Sequence, residues 1–230
     1  MKAFVITLDG NNVSEAGAAE CIRSSHAVGN DFVVQSFRAI RPENAWRSLA
    51  EEGLKWGYPW NTPTLDMSTG LKLSPYQTAD KRKRVGCFMS HYKLWQMALE
   101  EPILVLEHDA VFTQKLDTEY LVQLTKHGVI GINDPRGATR KSHVFHTLIC
   151  ESRWPVQPIP QIDNMEVPQG LAGNSAYIIK PFAAKKIIER VKEIGAWPND
   201  AFLCYQNFSF LGVTKKYYTR VQGLPSTTTL

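Results

Sequence analysis

Short apolar runs that read as buried strands recur along this sequence, with stretches of helical spacing between them. Ala3 to Leu8 is compact and apolar and closes in Asp9-Gly10, a strand running into a turn. Asp31 to Ile40, rich in β-branched and aromatic residues, reads as a second strand. Ile103 to Glu107, Val129 to Ile132 and Ser175 to Ile179 continue the series. Between them Phe88, His91, Tyr92, Trp95, Ala98 and Leu99 share one face at helical spacing, which predicts a helix over 88–100. Pro181 to Ile194 opens with proline and stops before Gly195, the signature of a second helix. The alternation predicts an α/β fold with a mostly parallel sheet flanked by helices.

The remaining segments give shorter signals. Asn12, with Glu15 three residues on, resembles a helix start, and that helix is expected to reach about Ser25. Pro42 and Gly53 bracket another helix. A helix is expected near 117–126, and strands at Val144 to Ile149 and near Val213 to Val221. Residues 55–80 hold three prolines, two glycines and two tryptophans without steady periodicity, and read as an ordered loop excursion over a binding site or a structural insertion. The 230 residues suit a single domain, 1–230, built around one core.

Composition narrows the function classes. Net charge is +4 with no basic tail, so nothing calls for nucleic acid, while an anionic small-molecule substrate is compatible. Cys21, Cys87, Cys150 and Cys204 are far apart and form no CxxC pair, which argues against a zinc ribbon or a disulfide scaffold and for reduced thiols. The opening MKAFVITLDG lacks a signal-peptide core, and no stretch is long enough to span a bilayer. A cytoplasmic protein is therefore expected, with peripheral membrane contact left open. Six Trp and eight Tyr supply rings for the core and for stacking on a ring-shaped ligand.

The stretch EEPILVLEHDAVF, residues 100 to 112, carries the chemistry. Glu107, His108 and Asp109 interrupt two apolar segments, an expensive arrangement unless the groups have partners. Strand alternation would put Glu107 and Asp109 on one side and His108 on the other. Two carboxylates at an open strand end suit a hard divalent cation, Mn²⁺ or Mg²⁺, which commonly also binds substrate phosphates. Asp9 ends the first strand at the same rim, where open α/β sheets bind ligands. The run Lys81-Arg82-Lys83-Arg84 offers cations for a diphosphate but reads first as a solvated loop. His143 and His146 would fall on opposite faces of a strand and share no metal. A dinucleotide-dependent oxidoreductase is discounted, because LDGNNVSEAG has no GxGxxG. A metal-dependent hydrolase using Glu107, His108, Asp109 and His91 remains an alternative, without a helical metal-binding His motif to support it.

Residues 84 to 112, RVGCFMSHYKLWQMALEEPILVLEHDAVF, resemble glycosyltransferase family 25, the group of lipooligosaccharide and collagen galactosyltransferase relatives. The matching features are Gly86-Cys87, Ser90-His91, Trp95 and Glu107-His108-Asp109, with His108 where the family pattern has a middle Asp. AFVITLD at 3 to 9, FRAI at 37 to 40, GLAGNSAYIIKPFAAKKIIE at 170 to 189 and PNDAFL at 198 to 203 resemble further family segments in the same order. The resemblance implies a GT-A-like (Rossmann-like) transferase of lipopolysaccharide biosynthesis type. It would move a sugar, such as galactose, from a UDP-sugar to a hydroxyl of a glycan or other acceptor, with inversion. It implies Asp109 and Glu107 as metal ligands and Asp9, Glu107, Gly173 and Asn174 on the donor side. His91 and Asp200 are the candidates for the catalytic roles, Asp200 as general base. The rival reading of Asp200 is the N-cap of a helix over 201–208. A catalytically degenerate sugar- or nucleotide-binding copy of the fold is the other alternative.

Overall fold

The computed structural model describes residues 1–137 and 141–227. The chain runs β1 (Lys2–Thr7), α1 (Asn12–Ala27), β2 (Val34–Arg38), α2 (Ala45–Glu51), β3 (Thr64–Asp66), β4 (Leu71–Leu73), α3 (Lys81–Met97), β5 (Ile103–Glu107), β6 (Ala110–Phe112) and β7 (Val129–Gly131). It continues through α4 (Ser142–Glu151), β8 (Val156–Pro158), β9 (Ala176–Ile179), α5 (Pro181–Ile194), α6 (Asn199–Phe202), β10 (Leu211–Thr214) and β11 (Thr219–Val221). Seven strands form one sheet in the order β2-β1-β5-β9-β7-β10-β8. Five run in one direction, and β9 and β8 run against them. The sheet is therefore mostly parallel, as the alternation predicts.

Period-two alternation sorts each central strand onto two cores. Phe4, Ile6, Ile103 and Val105 pack with α2, α3 and α5 on one face. Ala3, Val5, Leu104 and Leu106 pack with α1 on the other. Glu107 continues the odd series of β5, so its side chain emerges on the α3 face. The antiparallel setting of β9 matters equally. Its amino end arrives at the carboxyl ends of β1 and β5, which brings residues 173–175 to the acidic turn. The Glu107 N–H donates to the Ser175 carbonyl at 2.8 Å.

Several local expectations are corrected. Asn11, one residue earlier than expected, caps α1, its Oδ1 accepting from the Ser14 N–H at 3.0 Å. α3 begins at Lys81 with Asp80 as its cap, so the basic run is the helix's first turn and not a loop. Apolar periodicity starts only at Val85, which hid that turn. Residues 144–149 lie in helix α4: Phe145 and Ile149 are buried one turn apart, and the β-branched content misled. His143 and His146 are consequently three apart on a helix. The segment near 117–126 contains a π-helical turn, Tyr120–Leu124. The expected last strand divides into β10 and β11, and β11 pairs with β6 in a separate ribbon. The excursion at 55–80 contains the β3–β4 hairpin, with Leu71 and Leu73 buried in the main core.

Gly86 fixes how α3 sits on the sheet. A Cβ there would lie 2.6 Å from the Ile40 carbonyl oxygen. One turn on, the Ser90 hydroxyl accepts from the Ile40 N–H at 2.9 Å and donates to the Gly86 carbonyl at 2.7 Å. We expect Gly86→Ala to destabilise the fold by about 1–3 kcal/mol through overpacking. Chemical denaturation checks this, and an unchanged midpoint would mean that the helix shifts freely.

Candidate active site

The Gly-Cys and Ser-His pairs of α3 divide its surface between two tasks. Gly86 and Ser90 dock the helix, while Cys87 and His91, on the adjacent stripe, face the end of β5. His91 is fully buried. Trp95 Nε1–H donates to the Tyr177 hydroxyl at 2.8 Å, and that hydroxyl lies 2.7 Å from His91 Nδ1. A hydroxyl that accepts from the indole has its own proton to give, so Nδ1 accepts and Nε2 carries the imidazole proton. Nε2 then donates to Glu107 Oε1 at 3.1 Å. Burial works against charge on Glu107, yet the hydrogen bond from His91 and the nearby imidazoles hold its carboxyl below the usual range. His91 thus reaches the site through Glu107.

This chain can be broken at one atom. In Tyr177→Phe the buried Nδ1 loses its donor, and we expect a stability loss of about 1–3 kcal/mol. The ring should also lose its single Nε2–H tautomer, which ¹⁵N spectra of the ring nitrogens would read. One fixed tautomer at unchanged stability would show that the hydroxyl does not set the ring.

The strand ladder stops at Glu107, and His108 and Asp109 form a turn. The alternation expected to carry Asp109 to the same side as Glu107 and His108 to the other therefore does not extend that far. All three instead line one cavity of about 520 Å³, together with His91, Cys87, Gly173, Asn174, Asn199 and Asp200. That size lies in the range of small-molecule sites. Asp109 Oδ1 and both polar atoms of the Asn174 amide are buried and have no hydrogen-bond partner among the described residues. Burial, and then the charge of Glu107, push the Asp109 carboxyl up to about 7. Burial pushes the His108 imidazole down, with Glu107 acting the other way.

Asp200 opens onto the cavity while crowded by protein on its other sides. That crowding raises its carboxyl above the ordinary value, against the nearby Arg84 charge and the hydrogen bond donated by the Tyr76 hydroxyl at 3.1 Å. Asp200 is not a cap: α6 starts at Asn199 after Pro198, and Asp200 is its second residue. Asp9 is the sequence candidate that stands apart. It is absent from the cavity lining and pairs with Arg38 at 2.6 Å.

The remaining walls include part of the basic run that the sequence offered for a diphosphate, and residues the sequence did not point to. Lys83 and Arg84 project from the first turn of α3. Val221 and residues 223–227 line another side, tied down by Gln222. Its N–H donates to the Asp109 carbonyl at 2.8 Å, and its side-chain amide reaches the carbonyls of Gly17, His108 and Ala110 at 3.0–3.1 Å. Asn199 adjoins His91 Nε2 at 3.3 Å. Its place directly before Asp200 was the one sequence signal for it. Nothing in the sequence pointed to Tyr177 or Gln222, whose roles arise from strand pairing.

Two donor sets bear on a divalent metal. Glu107 and Asp109 offer hard oxygens, and the unpartnered Asp109 Oδ1 beside a second carboxylate is an arrangement a cation would relieve, so these residues fit Mn²⁺ or Mg²⁺. Cys87, His91 and Glu107 also place one ligand atom each within 4.8 Å of one another. That set fits poorly. Burial and the neighbouring carboxylates push the Cys87 thiol well up, and both His91 nitrogens are already engaged.

A mostly parallel α/β sheet whose acidic strand end opens into a cavity is the arrangement expected of a GT-A-like fold. The chain belongs to glycosyltransferase family 25, whose sequence model, described as an LPS biosynthesis protein, matches residues 32–203. No curated protein matches the sequence significantly. Among solved structures, the galactosyltransferase LgtC in complex with donor and acceptor sugar analogs is similar over 93% of this chain and 73% of its own, at 11% identity and a TM-score of 0.44. The bifunctional glycosyltransferase WbbM covers 94% of this chain and 38% of its own, at 10% identity and 0.46. Mouse xyloside xylosyltransferase 1 covers 90% and 80%, at 8% identity and 0.43. No helix among the described residues is long and apolar enough to cross a membrane.

Proposed function

We propose that the chain transfers a sugar from a UDP-sugar to a hydroxyl of a glycan acceptor by a single inverting displacement in this cavity. The observation that carries the reading is the incomplete polar lining: a buried carboxylate oxygen and a buried amide await partners in a space of sugar-nucleotide size. Lys83 and Arg84 supply positive charge for the diphosphate. Gly173 and Asn174, brought in by the amino end of β9, face the donor sugar. An adjoining hollow of about 200 Å³, lined by Leu8, Asn11, Val13 and Pro42, suits the nucleoside.

Asp109 and Glu107 would hold a divalent cation, which when bound supplies positive charge to the leaving diphosphate. His91 keeps Glu107 ionised and aimed. Asp200 accepts the proton of the acceptor hydroxyl as its oxygen bonds to the anomeric carbon and the bond to the diphosphate breaks. Its raised proton affinity favours that exchange. UDP should raise the melting temperature, more so with Mn²⁺. Saturation at a hundred times Kd corresponds to about 2.7 kcal/mol. No shift with any nucleoside diphosphate, with or without metal, would remove the reading.

A further inference from the structure

The tryptophans of the 55–80 excursion form a surface feature that the donor cavity does not use. Trp56 and Trp60 stack at 4.8 Å with their planes 10° apart. Trp46, on α2, meets Trp60 edge-on at 6.3 Å and is 42% exposed. The Lys81 ammonium lies 5.2 Å from the centre of the Trp60 ring. Lys81 is in the same helical turn as Lys83 and Arg84, which line the cavity. From there the Arg84 guanidinium covers the Tyr76 ring at 4.6 Å, and Tyr76 donates to Asp200. The first turn of α3 thus carries one ring-and-cation group that ends at Asp200 and another that ends at Trp46.

We propose that the two groups form the acceptor subsite and that it binds a saccharide carrying an anionic substituent such as phosphate. The proposal rests on the transferase reading, in which the acceptor hydroxyl must reach Asp200. Exposed ring planes offer the apolar, flat contact that the C–H faces of a pyranose match, and Trp46 is open for it. Arg41, Arg47 and Arg82 on the same flank pair with Glu43, Glu51 and Asp80. Lys81 instead rests on a ring, so its charge is available to a substituent of the bound sugar at small cost. A neutral saccharide would use the rings and leave that charge unanswered.

The test uses the full chain, its Trp46→Ala and Lys81→Gln variants, and two probes. These are a phosphorylated core oligosaccharide from deacylated rough lipopolysaccharide and the same oligosaccharide after dephosphorylation. Binding is read by tryptophan fluorescence and by saturation-transfer NMR, beside the UDP melting shift of each protein. Trp46→Ala should weaken both oligosaccharides about tenfold, and Lys81→Gln only the phosphorylated one, with the UDP shift kept in both variants. Wild-type-like oligosaccharide affinity in both variants, or no binding of either oligosaccharide to the wild type, would overturn the subsite while a UDP shift leaves the transferase reading standing. Absence of the UDP shift in the wild type would instead strike at that reading itself.

Discussion

Replacing Asp109 with asparagine is expected to lower sugar transfer by about 10² or more, since cation-supplied charge at a leaving group is worth several kcal/mol. The fold should survive, because asparagine keeps the size of the side chain and removes a buried charge beside Glu107. The pH dependence gives a second signature. In the folded chain the Asp109 carboxyl is raised from 3.8 to about 7. Between those values the folded state holds a proton that the unfolded chain has released. Stability without metal therefore falls as pH rises through that window and levels off above about 7. Asp109→Asn should flatten that decline. In the wild type, Mn²⁺ must displace the same proton, so its affinity should climb up to about pH 7 and then plateau. A folded Asp109→Asn variant with wild-type turnover and an unchanged stability profile would exclude Asp109 from the site chemistry.

Asp200→Asn should reduce the transfer rate by about 10² to 10⁴ with donor affinity near normal. The helix-cap alternative no longer competes, because Pro198 occupies that position. Asparagine retains an acceptor for the Tyr76 hydroxyl or the Ala201 N–H, so the α6 turn should hold. A ligand role for Asp200 would show itself as weaker donor binding alongside the lost rate. Parallel measurement of UDP affinity and transfer rate separates these outcomes. Unchanged transfer by the folded variant would remove Asp200 from the mechanism. Two other acids of the chain, Asp134 and Asp163, are held in ion pairs, with Arg136 at 2.6 Å and with Lys141 at 2.5 Å.

Much of the scaffold was legible because single-strand periodicity encodes it. β5 and α5 match their sequence boundaries residue for residue, since Pro102 and Glu107 bracket one and Pro181 and Gly195 the other. α4 was misread because Val144 and Ile149 carry strand propensity, while tertiary packing of Phe145 and Ile149 decides for helix. The first turn of α3 was hidden by its charge. At the site, the Glu107-His108-Asp109 cluster could be read as costly and therefore in need of partners. The partners themselves could not be read. Tyr177 reaches His91, and the sequence candidates Gly173 and Asn174 reach the acidic turn, only because β9 runs antiparallel between β5 and β7, and strand order leaves no local trace. Gly17 is silent for the same reason: only the fold shows that a Cβ there would lie 2.6 Å from the His108 carbonyl oxygen.

Sugar transfer itself is read by release of UDP from a panel of UDP-sugars, UDP-galactose first, by the wild-type chain with Mn²⁺ and the phosphorylated core oligosaccharide. We expect acceptor-stimulated UDP release from at least one donor, sharply reduced in Asp109→Asn and Asp200→Asn. Release from no donor, or release that both variants sustain at the wild-type rate, would contradict it.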